Sequence, residues 1–290
     1  MATIHSMTAF ARREGQGPWG TVTWELRSVN HRYLEVSLRL PEAVRDLEGA
    51  VRERLRSGLG RGKVDAGLRL QTDEATAASI SLDVDLARQL AHASREVDSL
   101  LYNPAPVSSM ELLRWPGVIK TAQADPEALK EAAMALLEET LGELIAARAR
   151  EGAALRQFIE ERLEAVSAEV AKVKTRVPEV LTSVRERLQT RLAEVKGELD
   201  PARLEQELVL LAQKIDVTEE MDRLDAHVKE VRRVLKGGGA VGRRLDFLMQ
   251  ELNREANTLG SKSQDSETTQ SSVELKVLIE QMREQIQNIE

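Results

Sequence analysis

The stretch DPEALKEAAMALLEETLGELIAARAREGAALRQFIEERLEAVSAEVAKVKTRV, residues 125–177, decides the architecture. Asp125 is placed to cap a helix and Pro126 to open it, because an N-terminal proline loses no intrahelical bond. The helical pattern then persists to Val177. At 1.5 Å per residue such a helix is about 75 Å long. A rod of that length cannot be buried in one small globule and needs a partner helix or a second subunit. Pro178 is expected to break or kink it. The amphipathic run that follows to Leu199 then reads as the return leg of an antiparallel hairpin, a spacer or an assembly element.

Upstream of that rod the pattern changes period. Thr21–Val29 and Leu34–Leu40 alternate every second residue, so Leu34, Val36, Leu38 and Leu40 are expected to face a core. Pro41 ends the second strand and opens a helix to about Ser57, which Gly58, Gly60 and Gly62 terminate. Val64 to Gln71 resumes alternation, with Leu68 and Leu70 on one face, and Asp83 is placed to cap a helix to about Leu100. Asn103-Pro104-Ala105-Pro106 and Trp115-Pro116-Gly117 bracket a short helix and mark a boundary. The fold class is therefore α+β: a strand-rich α/β domain over 1–117, then a long-helix domain over 118–290 with a helical hairpin and a C-terminal bundle. In that bundle helices are expected from Pro201 to about Asp216, from about Val217 to Leu235, over 241–256 and over about 267–288. Lys236-Gly237-Gly238-Gly239 supplies a turn, and 257–266 reads as a polar loop.

Composition narrows the function classes. The chain has 290 residues, 42% hydrophobic and only 3% aromatic, with no cysteine. Disulfides, thiolate catalysis and cysteine-based zinc sites are excluded, and a reducing cytoplasm is the natural compartment. No run of eighteen apolar residues predicts a membrane span, and the first eight residues lack a secretory layout. The net charge of −7 hides basic segments. Residues 27–69 hold ten Arg or Lys against six Asp or Glu, and residues 236–262 hold five against three. Phosphate binding follows the local field of a groove rather than the average.

Four groups of residues can carry chemistry. Gly242-Arg243-Arg244-Leu245-Asp246-Phe247-Leu248-Met249-Gln250-Glu251-Leu252-Asn253-Arg254-Glu255-Ala256-Asn257-Thr258 packs directed hydrogen-bonding groups on a helix whose other face is Leu245, Leu248, Met249 and Leu252. Two readings stay open for it: contacts to phosphates and base edges, or a polar helix interface in an oligomer. Arg27-Ser28-Val29-Asn30-His31-Arg32-Tyr33-Leu34 lies between two strands, where a turn projects a phosphate-gripping, base-stacking mixture or merely a charged hairpin. Gly60-Arg61-Gly62-Lys63 adds a basic element whose glycines can bring backbone close to a phosphate. Separately, Glu219, Arg223 and His227 follow one helical stripe with Glu220 beside it, suited to proton transfer, to a divalent cation or to a surface ion-pair ladder. His92 sits in an ordinary helix, and no HExxH pair exists.

These strings in this order, with Ser6-Met7-Thr8-Ala9-Phe10-Ala11-Arg12 before them and Asp216-Val217-Thr218-Glu219-Glu220 between, closely resemble the YicC family of bacterial proteins over essentially the full length. The chain departs from the family pattern at Ala9, where glycine is usual, and at Ala226, where serine precedes the histidine. The resemblance implies an endoribonuclease of cytoplasmic RNA turnover, a homohexameric ring enclosing RNA, and Mn²⁺ or Mg²⁺ dependence in some members. For such a cleavage the residues themselves offer His227 as the expected proton-transfer residue, oriented by Glu219 or Glu220, with Arg223 on phosphate. The expected RNA contacts are Arg27, Asn30, His31, Arg32, Arg61, Lys63, Arg243, Arg244, Gln250, Asn253, Arg254, Asn257 and Lys262. A metal-activated water would instead recruit Glu219, Glu220, Asp246 and Glu251. An RNA-binding adaptor and a purely structural ring are the alternatives.

Overall fold

Residue alternation builds the N-terminal sheet. The computed structural model describes residues 3–71, 80–121, 125–194 and 201–290. Strands β1 (Ala9–Gly17), β2 (Gly20–Val29), β3 (Leu34–Arg39) and β4 (Gly62–Gln71) form one sheet in the order β1-β2-β4-β3. β2 pairs antiparallel with β1 and with β4, while β3 runs parallel to β4. A 3₁₀ turn (Glu42–Leu47) and α1 (Glu48–Gly58) supply the crossover that a parallel pair requires. Val22, Trp24, Leu26, Val64, Ala66 and Leu68 are buried on one face. Val36 joins them, and Leu34, Leu38 and Leu40 pack against the same core, as the alternation requires. The sequence pattern does not announce β1, whose Arg12-Arg13-Glu14 run is polar on both faces. It forms because the open edge of β2 offers it a complete hydrogen-bonding ladder.

A small satellite stands beside this sheet. β5 (Ile80–Leu82) pairs antiparallel with β6 (Ile119–Thr121), and between them lie α2 (Val84–Asp98) and α3 (Ser109–Arg114). The Asp83 side chain caps α2 by accepting from the Leu86 N–H, as expected, and Ser108 with Glu111 forms a capping box on α3. Neither helix buries a single residue.

The helical body corrects the hairpin expectation. α4 (Pro126–Glu194) continues through Pro178 for 69 residues, about 100 Å at the α-helical rise. Pro178 is exposed there, so losing one bond on the solvent side does not break a helix held by packing on both sides of it. The return leg is α5 (Pro201–Ile215), whose Glu205 meets Arg185 of α4 at 3.3 Å. The expected end of that run at Leu199 lies outside the described residues. α6 (Thr218–Gly237), α7 (Gly242–Lys262) and α8 (Ser266–Ile286) complete the bundle. α7 runs six residues further than expected, so Asn257 to Lys262 are helical and the loop shrinks to 263–265.

One continuous stripe of α4 serves two cores. Leu129, Ala133, Leu137, Leu141 and Leu144 pack under the sheet, and the Trp24 Nε1–H donates to the Ala133 carbonyl at 2.8 Å. Ile159, Leu163, Val166, Val170 and Val173 pack with α6, α7 and α8. A division of the chain after residue 117 therefore does not separate the cores, because the first five turns of α4 belong to the sheet.

Candidate nucleic-acid interface

Helix α7 carries the polar motif and sorts it by helical position. Arg244, Glu251, Glu255 and Lys262 share the side toward α6, while Asp246, Gln250, Asn253 and Asn257 recur at spacings of four, three and four on the side toward α8. Arg243, Phe247 and Arg254 form the exposed crest between them. On the α8 side the Gln250 amide donates to Asp246 Oδ2 at 3.0 Å, and the Asn257 amide donates to Asn253 Oδ1 at 3.0 Å. The first pair fixes an amide against a carboxylate and the second fixes two amides, and each still presents further donors or acceptors to solvent.

The cleft against that side joins both ends of the chain. Asn30 and Arg61, from the loops at one end of the sheet, face Arg243 and Asp246 of α7 and Arg283 of α8 around a space of about 360 Å³ floored by Ile286 and Ile289. A second concavity of about 380 Å³ continues along Gln250, Asn253, Arg254, Asn257 and Thr258, and Arg283 lines both. Arg283 is the residue that sequence reasoning missed. Its Nε is out of solvent with no hydrogen-bond partner and lies 3.6 Å from Asp246 Oδ1. Its only sequence signal is an arginine on the polar side of the last helix, and the pairing of α7 with α8 gives it a place.

The α6–α7 seam holds the other expected residues. The helices run antiparallel, with Lys262 on Glu220 at 2.8 Å, Arg223 on Glu255 at 3.5 Å and Arg244 on Glu230. This register sets His227 opposite residues 248–251 of α7. His227 is half-buried, and no hydrogen bond or ion pair among the described residues engages it. Glu219 bonds Arg223 instead of the imidazole. Glu220 is buried, and one of its oxygens has no partner. Lys262 Nζ also donates to the Asp216 carbonyl at 3.0 Å, which ties this lysine into the seam. Arg233 and Arg244 hydrogen bonds hold the Glu230 carboxyl down to about 2.

Comparison with known proteins decides the family. The family described as "Endoribonuclease YicC-like, N-terminal region" matches residues 4–157, and "Endoribonuclease YicC-like, C-terminal" matches residues 173–290. The chain belongs to the endoribonuclease YicC-like family. It is 48% identical to the "Probable endoribonuclease YicC" of Haemophilus influenzae over 287 residues, covering 99% of this chain and 100% of that one. It is 31% identical to the protein of the same name from Clostridioides difficile over 290 residues, covering 98% and 99%.

The remaining expected contacts of this YicC-like chain spread over the sheet. Arg27 and Lys63 point to the sheet's open face, where Arg27 pairs in register with Phe10 and with Asp65. His31 Nδ1 lies 3.1 Å from the Tyr33 carbonyl, and the Arg32 guanidinium lies over the Tyr33 ring at 5.2 Å. The four carboxylates expected to hold a divalent cation do not converge. Glu219 and Glu220 stand beside the end of α7, whereas Asp246 lies near its start against Arg283, about 24 Å away at the helical rise. Among the described residues no three His, Asp or Glu side chains are grouped to hold a metal, and no helix is long and apolar enough to cross a membrane.

Proposed function

We propose that this bacterial endoribonuclease grips RNA in the cleft between the sheet domain and helices α7 and α8, and cuts it over the crest of α7. The observation that carries this reading is the meeting of Asn30 and Arg61 with Arg243, Asp246 and Arg283 around one space, since cationic forks with side-chain amides between them suit phosphates and base edges. Arg243, Arg254 and Arg283 hold phosphates, and Gln250, Asn253 and Asn257 read the strand beside them. His227 of α6 sits on the flank of α7 opposite this cleft, and the reading requires the strand to pass over Arg243 and Arg254 to meet it. In this reading the ribose 2′-oxygen loses its proton to His227 and bonds to phosphorus, the bond to the 5′-oxygen breaks with that oxygen taking a proton from solvent water, and His227 then releases its own to solvent. The products are a cyclic phosphate and a 5′-hydroxyl. Arg223 supports the seam from its pairs with Glu219 and Glu255. A divalent cation belongs to the reading through the family resemblance alone, and no step above passes through one.

Self-association as a ring in the bacterial cytoplasm belongs to the same proposal. Its support is the satellite of α2 and α3, where Leu82, Val84, Val97, Leu100, Leu101 and Trp115 are all exposed. So many exposed apolar side chains on one small group of elements favour an interface, and a second copy of the chain is its occupant in this reading. Leu100→Asp is expected to lower the sedimenting mass of the assembly; an unchanged mass removes this face from the interface.

The deciding experiment incubates purified protein and its His227→Ala and Arg283→Ala variants with end-labelled RNA, with and without Mn²⁺ and with chelator. Loss of cutting at retained binding in His227→Ala, with cyclic-phosphate ends from the parent, is the expected result. Products bearing 5′-phosphate and 3′-hydroxyl ends point to an activated water instead. Binding without any cutting replaces the enzyme with an RNA-binding adaptor.

A further inference from the structure

The cleft has two walls from opposite ends of the chain, and a small set of buried bonds joins them. Segments 3–8 and 286–290 cross as a two-stranded strap: Ser6 bridges Ile289, the Met7 N–H donates to the Asn288 carbonyl at 2.7 Å, and the Glu290 N–H donates to the His5 carbonyl at 3.0 Å. The Glu290 main-chain oxygen accepts from the Val241 and Gly242 N–H groups at 2.9 and 3.1 Å, where α7 begins. Arg148 of α4 lies beneath this strap, 2% exposed. Its Nε donates to the Ser6 carbonyl, and its Nη2 donates to the Arg61 carbonyl at 3.2 Å and to Glu290 Oε2 at 3.1 Å. The Arg61 Nε in turn donates to the His31 carbonyl at 2.9 Å. From one guanidinium, one line of bonds reaches the start of α7 beside Arg243, and another reaches the loop that carries Asn30.

The glycines around this point are there for closeness. A Cβ at Gly60 would lie 2.5 Å from Glu290 Oε1, and one at Gly242 or Gly152 would strike the Ile289 or Ile4 carbonyl. Gly62 sits at φ +118° against the Val29 carbonyl and Ser28 Oγ. In Gly60-Arg61-Gly62-Lys63, read from sequence as a phosphate approach, Gly60 thus admits the chain's own strap and Gly62 admits the end of β2. Stability alone does not account for a charge here, because well-packed apolar side chains generally serve a buried position as well or better. What a guanidinium adds is a rigid fork that fixes several acceptors at set angles. Burial pulls the Arg148 guanidinium below its ordinary range, against the opposing pull of Glu290.

We infer that Arg148 and Glu290 form a buried brace that sets the spacing of the two cleft walls, which makes them positioning residues for the RNA site. The inference rests on the RNA reading for its functional half only; the spacing is measurable without RNA. The chain has no cysteine, so Ser37→Cys on β3 and Glu284→Cys on α8 accept spin labels at those two positions alone. In this labelled protein the double variant Arg148→Met with Glu290→Met removes both charges together and leaves no unpaired ion. The expected result is a native circular dichroism spectrum, a broadened or displaced label-to-label distance, and RNA affinity and cleavage lower by roughly tenfold to a hundredfold, the range a small misplacement produces. Gly60→Ala is the second variant. Its methyl pushes only against the end of the Glu290 side chain, and it shifts the distance in the same direction even if the double variant fails to fold. An unchanged distance in a folded variant overturns the brace, and a changed distance at unchanged RNA affinity overturns its positioning role. A parent protein that binds no RNA overturns the RNA reading instead, with the distance still deciding the brace.

Discussion

Arg283 keeps one nitrogen out of water with no hydrogen-bond partner, beside a carboxylate 3.6 Å away and at the junction of two concavities. A donor held this way contributes little to folding, since partly exposed ion pairs are worth about 0–1 kcal/mol. Arg283→Ala is therefore expected to leave the melting temperature nearly unchanged and to weaken RNA of every sequence alike. The salt slope of binding should fall by about one, read by anisotropy at several salt concentrations. An unaltered slope removes this arginine from the phosphates. Glu230 makes a pH prediction. Its folded value of about 2 lies below the ordinary 4.5, so the stability from its pairing is complete above 4.5 and declines as pH falls toward 2. Carboxyl resonances followed by NMR are expected to keep Glu230 ionised at pH 3.5, and a midpoint near 4.5 would refute it. At this scale the sequence displayed the identity of the polar residues but not their partners. Lys262 reads as a free cation in the chain, yet Glu220 and Asp216 occupy it. Glu220 and Lys262 are separated by 42 residues, so no local pattern joins them.

Helices were the most legible elements, and their ends the least. Asp83 and Asp125 stand where caps were expected, because capping is a local hydrogen bond between neighbours in sequence. Pro178 misleads for a reason that lies outside its neighbourhood. Local chemistry says stop, but Val173 is buried against the bundle before it, and Leu181 and Val184 meet α5 after it. Pro178→Ala restores the missing main-chain bond on an exposed turn, and a gain of about 1–3 kcal/mol is expected in denaturant unfolding. A loss of stability there would mean that the ring itself supports the spine. β1 went unseen for the opposite reason. Its polar residues carry no alternation, and the neighbouring strand's open edge orders them.

The whole molecule is organised by α4, whose one apolar stripe belongs first to the sheet and then to the bundle. A fragment ending at residue 117 would uncover Trp24, Leu26, Val51 and Leu55 and lose the Ala133 carbonyl that satisfies the Trp24 ring. It is expected to melt without cooperativity in tryptophan fluorescence, whereas a fragment through residue 157 gains the helix that closes the sheet's core. Cooperative melting of the shorter piece would show that the sheet closes without α4. The sequence by itself determined what depends on neighbours along the chain: the helical periods, the strand alternation, the caps, and the strings that identify the family. Only the tertiary structure decided which of those elements share a surface. Asn30 and Arg61 meet Arg243 and Arg283 because a helix of about 100 Å fixes two cores in line and a strap from both ends of the chain binds them together. Such distant contacts are selected by the packing of entire elements, and no period or spacing within either segment encodes them.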